Sequence, residues 1–90
     1  MNTIKLSKYG AVLTGREFGS DVMKALSKGL KPPVALDFDG VEVIGSSFGD
    51  EVVPVIAAKQ GNTVKILNAN PAVKETLKDI ALDAYITLKL

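Results

Sequence analysis

Apolar and polar residues alternate at the start of the chain. Ile4 and Leu6 are interleaved with Lys5 and Ser7, the period-two pattern of a strand with one buried face. The run turns at Tyr9-Gly10 into a second short apolar stretch, Ala11-Val12-Leu13, which predicts an opening β-hairpin. The period then changes to that of a helix. Phe18, Val22, Ala25, Leu26 and Gly29 recur at helical spacing among Arg16, Glu17, Asp21, Lys24 and Lys28, so one stripe is expected to be buried. Thr14 stands three residues before Glu17, the capping-box spacing, and marks the helix start; Gly29 and Pro32-Pro33 mark its end.

Val34-Ala35-Leu36-Asp37-Phe38 is almost continuously apolar between Pro33 and Gly40, as in a central strand covered on both faces. Val41 to Ile44 fits either a brief extended piece or a loop that tucks Val41 and Ile44 inward. A second helix is expected from Ser47 to Lys59, with Ser47 and Asp50 in capping-box spacing and Phe48, Val52, Val55 and Ile56 apolar. Pro54 interrupts it at a cost of about 3 kcal/mol, so the helix must kink there or be held by strong packing. After a turn at Gly61-Asn62, Thr63 to Leu67 reads as a strand, and Asn70-Pro71 opens a third helix with Val73, Leu77, Ile80 and Ala81 inward. Tyr85 to Leu90 alternates again and reads as a closing strand. Strand and helix in turn imply an α/β fold with right-handed crossovers, and residues 1–90 read as one domain.

Composition narrows the chemistry. The 90 residues are 47% hydrophobic, enough for a packed core. Eleven Lys plus Arg against ten Asp plus Glu leave a net charge of +1, which draws in neither nucleic acid nor an anionic membrane, so neither is expected as a partner. Without Cys there is no disulfide, thiolate nucleophile or cysteine-held zinc, and without His the commonest metal ligand and general base is gone. No secretory leader and no long apolar run is evident, so the protein is expected in the cytoplasm, with no cofactor and no bound metal.

Polar residues and glycines are densest from Asp37 to Glu51, just past the carboxyl end of the central strand, where open α/β sheets meet their ligands and partners. Leu36-Asp37-Phe38-Asp39-Gly40 resembles the first motif of haloacid dehalogenase-type phosphatases. That resemblance implies that Asp37 attacks phosphate, that Asp39 serves as acid and base, and that Mg²⁺ screens the charge. Only about 50 residues follow, too few for the lysine and acidic pair that complete such a site on further strands.

A second resemblance covers roughly Pro33 to Leu82. Val34-Ala35-Leu36-Asp37-Phe38, then Val41, Ile44 and Ser46-Ser47-Phe48-Gly49-Asp50-Glu51, is similar to the STAS fold, named for sulfate transporters and anti-sigma factor antagonists. The pattern most resembles the bacterial STAS-like family of unassigned function, and Val64-Lys65-Ile66-Leu67-Asn68 leading to Asn70-Pro71-Ala72-Val73 and Leu77 matches the strand that runs into its last helix. The resemblance implies a mixed sheet with crossover helices behind the N-terminal hairpin, and a binding module instead of a catalyst. In anti-sigma factor antagonists a serine at the start of the helix after the central strand is phosphorylated by a histidine-kinase-like ATPase that is also the protein partner.

The family motif Asp-Ser-Ser-Gly-Leu falls on Gly45-Ser46-Ser47-Phe48-Gly49, with both serines kept and the aspartate and glycine replaced. Ser47 matches the phosphoserine and Ser46 is its neighbour; Asp37, Asp39, Ser46, Ser47, Asp50 and Glu51 form the implied partner-binding surface. Each has a plainer reading. Ser47 can be a helix cap, Asp37 can accept amide hydrogen bonds from the loop, and Asp50 and Glu51 complement the helix dipole. Phe48 reads as a core anchor, and Arg16 as a carboxylate or phosphate contact. The closing strand from Ile86 to Leu90 can also join a second copy's sheet edge and make a homodimer.

Overall fold

The computed structural model describes residues 2–90. Strands β1 (Asn2–Lys5), β3 (Val34–Asp37), β5 (Thr63–Leu67) and β6 (Thr87–Lys89) form a four-stranded sheet in the order β1-β3-β5-β6, and every ladder in it is parallel. Strands β2 (Val12–Leu13) and β4 (Val43–Ile44) make a separate two-stranded parallel ladder. Helices α1 (Arg16–Ser27), α2 (Ser46–Ala58) and α3 (Pro71–Ala84) supply the crossovers. The α/β fold with crossover helices is therefore as expected, and its strand pairing differs in two ways.

First, there is no opening hairpin. β1 runs into a 3-10 helix at Leu6–Tyr9, and β1 and β2 pair with β3 and β4 instead of with each other. Burying Leu6 and Leu13, both fully inaccessible, in the common core sends the two segments to different partners. Second, the described sheet is parallel throughout, not mixed.

Each crossover steps to the adjacent strand in one direction. Right-handed connections of that kind put all helices on the same face, with α1 against α2 and α2 against α3. Burial along β5 agrees: Val64 and Ile66 are buried, whereas Lys65 is exposed. Ile4, Leu36 and Ile66 share a register row on the helix-covered face, and Thr3, Ala35 and Lys65 share one on the other. β3 is buried along its whole length, as a central strand should be. Its second face is shielded by flanking strands, because the Ala35 methyl is too short to emerge between Thr3 and Lys65. The Gln60 side chain fastens the other end of the sheet, accepting from the Val34 amide at 2.9 Å and donating to the Val34 and Thr63 carbonyls at 3.1 and 2.9 Å.

α2 lies between its two neighbours at close range, and glycine makes that possible on both sides. A Cβ on Gly19 of α1 would sit 2.8 Å from the Phe48 carbonyl oxygen, and one on Gly49 of α2 would collide with the Ile80 side chain of α3. Val52, Val53, Ile56 and Ala57 are buried around Pro54, and the helix runs through the proline without interruption. Packing thus outweighs the lost hydrogen bond, since each such side chain contributes roughly 1.5–3 kcal/mol on burial. The predicted stripe of α3 is the buried one. In α1 and α2, however, Phe18, Ala25 and Val55 are exposed against expectation, because the tight crossing places Gly19 and Gly49 in the interior instead. Phe18 lies across the edge of the core, its ring 5.4 Å from that of Phe48.

Candidate functional site

Parallel strands deliver all their strand-to-helix connections to one end of the sheet, so the segment Phe38–Gly45 and the starts of α2 and α3 converge there. Asp37 is the last residue of β3 and is 7% exposed. Its Oδ1 accepts the Asp39 amide at 2.9 Å and the Asn68 side-chain amide at 3.1 Å. These bonds stabilise the ionised carboxylate and, with the positive charge of Lys5, lower its pKa below the ordinary 3.8 despite the opposing effect of burial. Asp37 thus accepts the hydrogen bonds expected of it in the plainer reading and closes the turn. Asp39, two residues on, is exposed.

The rest of the turn is tied down from two directions. The Glu42 and Val43 amides donate to the Ala11 carbonyl at 2.8 and 3.2 Å, and the Gly45 amide donates to the Leu13 carbonyl at 2.8 Å. From the other side the Asn70 side chain donates to the Val41 and Glu42 carbonyls at 3.3 and 3.1 Å. Val41 and Ile44 both point into the core; Val43–Ile44 is a two-residue strand and Val41-Glu42 is loop, so the stretch combines the two expected forms. Gly40 is required where the turn passes Ser7, with φ at +84° and space for a Cβ limited to 3.2 Å.

α2 begins on this fastened platform. Its N-cap is Gly45, two residues earlier than expected, and no side chain caps it. Ser47 is consequently not the cap; it lies inside the first turn, half-buried, with Ser46 exposed beside it. The Gly45 amide is occupied by Leu13, which fixes the start there. Thr14 likewise does not cap α1, whose N-cap is Gly15 at φ +96°. The first intrahelical bond of α2 runs from the Gly49 amide to the Gly45 carbonyl, leaving the Ser46, Ser47 and Phe48 amides as the helix's free donors. Phe48 is fully buried and anchors the turn.

The surface residues divide into two groups. Asp39, Ser46 and Asp50 are exposed around the start of α2. Glu51 is turned toward α1, its carboxylate 3.8 Å from the Arg16 guanidinium. Arg16 therefore meets a carboxylate of this chain, in a solvent-exposed pair of the kind that contributes at most about 1 kcal/mol. Two asparagines that the sequence does not assign to the site, one of them expected only as the start of α3, prove structural to it. Asn68, at φ +57°, holds Asp37, and Asn70 clamps the turn while its own Oδ1 accepts the Val73 amide at 2.7 Å. The signal for Asn68 is an asparagine directly after a strand, one of the few residue types that accept a left-handed conformation.

Comparison with known families places the same elements in a known pattern. A family described as a STAS-like domain of unknown function (DUF4325) matches residues 15–74, from the N-cap of α1 into the first turn of α3. The chain belongs to this STAS-like family. No curated protein and no solved structure matches significantly. The matched span holds the whole turn, both serines and both clamping asparagines of this STAS-like chain, and the family description names no enzymatic activity. Among the described residues no cluster of three or more His, Cys, Asp and Glu is gathered to hold a metal, and no helix is long and apolar enough to cross a membrane.

Proposed function

We propose that this STAS-like protein is a non-catalytic interaction module in a bacterial cytoplasmic regulatory system. Its docking face is the rigid turn at the start of α2, with Asp39, Ser46, Ser47 and Asp50 as the contact residues and a protein, a histidine-kinase-like ATPase, as the partner. Asp37 and Glu51 support that face from within, one closing the turn and the other pairing with α1. The observation that carries the reading is the uncapped start of α2: its free amides lie beside an exposed serine on a platform held by the main-chain carbonyls of Ala11 and Leu13 and the side chain of Asn70.

Phosphorylation of Ser46 or Ser47 supplies the switch. A phosphate adds about −2 charge and three acceptor oxygens, which the free amides and the positive end of the helix dipole favour. Asp50 lies beyond the first turn of α2, four residues after Ser46 on the same side of the helix, and repels it, so the two effects offset one another within the fold. A docked partner meets the full change in charge, and its affinity shifts more than the stability of the domain does.

The test pairs two readouts. Ser46→Asp and Ser47→Asp are expected to keep the melting temperature within a few degrees and to weaken the ATPase complex about tenfold or more, equivalent to at least 1.4 kcal/mol. Unchanged affinity in both variants, together with no phosphoserine after incubation with the ATPase and ATP, sinks the switch. Mg²⁺-dependent hydrolysis of a generic phosphate ester that is lost in Asp37→Asn overturns the non-catalytic reading itself.

A further inference from the structure

The far edge of the sheet presents a second surface of different chemistry. β6 pairs with β5 alone and is the last strand in the order, so its outer side is open. The Thr87 amide donates inward to the Asn62 carbonyl at 2.9 Å, and strand alternation then turns the amide and carbonyl of Leu88 outward, unpaired. Beside this edge runs a groove of about 370 Å³ lined by Lys78, Ala81, Leu82, Ile86, Leu88 and Leu90. Two of its apolar residues are far from buried, Leu82 at 75% and Leu90 at 59% exposed, whereas Ala81 is buried and Ile86 and Leu88 are half-buried. Tyr85, at the end of α3, is 91% exposed and adopts φ +56°, the left-handed position where helices ordinarily place glycine.

The charged side chains of the groove and of the β5–β6 pair are lysines. Lys74, Lys78 and Leu82 form one i, i+4 row of α3, and Asp79 and Asp83 form the next row, about 100° further round the helix. Lys78 is accordingly the one charged residue lining the groove. On the helix-free face, Lys89 of β6 stands in register beside Lys65 of β5. Leu88 is in register with buried Val64, so its side chain lies on the helix side. An added strand thus meets leucines on one face and lysines on the other.

We infer that the β6 edge binds an extended segment of a partner protein in which apolar and acidic residues alternate. Its main chain pairs with Leu88, its apolar side chains enter the groove under Ala81 and Leu82, and its carboxylates lie over Lys65 and Lys89. A second copy of this chain fits poorly. Its own edge strands, Thr3-Ile4-Lys5 and Thr87-Leu88-Lys89, match the apolar face but add further lysines, and no carboxylate, on the other. This surface is distinct from the α2 turn, and the proposal stands independently of that one.

The probe is a synthetic hexapeptide alternating Glu and Val, titrated into the ¹⁵N-labelled protein and followed by amide chemical shifts. Shifts are expected at Ala81, Leu82 and Ile86 to Leu90 and not at Ser46 to Asp50. A Lys-Val peptide of the same pattern should bind about tenfold more weakly or not at all, as should the Glu-Val peptide to Lys89→Glu. Leu82→Ala separates binding from folding: Leu82 lines the groove yet is exposed, so the variant should melt close to the parent and bind more weakly. No shifts at millimolar peptide, equal binding of the Lys-Val peptide, or shifts confined to the α2 turn overturns the proposal. A dimer in solution that Leu88→Pro dissociates overturns it in favour of a second copy.

Discussion

Helices α2 and α3 both start at the carboxyl end of the parallel sheet, yet they are held there in different ways. α3 starts with a polar lock: Asn70 caps the Val73 amide and clamps Val41 and Glu42, and Pro71 follows in the first turn. α2 starts with an apolar anchor, buried Phe48, on a Gly45 cap that has no side chain to offer. The first helix start uses its polar groups to build the fold. The second leaves its amides and its serine hydroxyls unspent, and a surface that is fixed in place without consuming its own donors is available to a partner.

Five substitutions sharpen or break that contrast. The largest effect is expected for Phe48→Ala, which removes the anchor of α2 and should cost about 3–5 kcal/mol in urea unfolding. A loss below about 1 kcal/mol there means that the main-chain ties to Ala11 and Leu13 hold α2 without it. Asn70→Ala comes next, at about 2 kcal/mol, since it deletes a helix cap and two further hydrogen bonds. Asp37→Asn is read through pH. The native pKa of Asp37 lies below its ordinary value of 3.8, so its contribution is complete above that pH and fades as pH falls through the native value. The parent should therefore lose more stability below about pH 4 than Asp37→Asn does; parallel curves contradict the assigned hydrogen bonds. Smallest of all, Ser46→Ala and Ser47→Ala should each stay within about 0.5 kcal/mol, because neither residue caps α2. A loss near 1 kcal/mol at Ser47, typical of a true cap, dissolves the distinction between the two helix starts.

The same contrast explains what could be read from the chain alone. The start of α3 was legible because its signal is local: Asn70 and Pro71 stand side by side, and the buried stripe of Val73, Leu77, Ile80 and Ala81 follows at fixed spacing. The capping-box spacing puts the cap of α2 two residues late, because what sets it is the bond between the Gly45 amide and the Leu13 carbonyl, 32 positions back. The opening hairpin failed for a related reason. Alternation identifies a strand but not its partner, and the partners of β1 and β2 lie on β3 and β4. Asp37 was recognised as an acceptor for its own loop, whereas its second donor, Asn68, is distant in sequence. Helical spacing points Phe18 to the core because it takes no account of how closely two helices cross. At Gly19 the backbones come so near that the glycine, not the aromatic ring, faces the interior.

The docking role of the α2 start is tested most directly by site-specific photo-cross-linking in living cells, with the reactive residue placed at Ser46 and, as a control, at Lys24 on the exposed side of α1. A discrete adduct with one protein is expected from position 46, absent from position 24 and abolished by Ser47→Asp. Adducts of equal strength from both positions, or none from position 46, contradict the assignment of this turn as the partner-binding face.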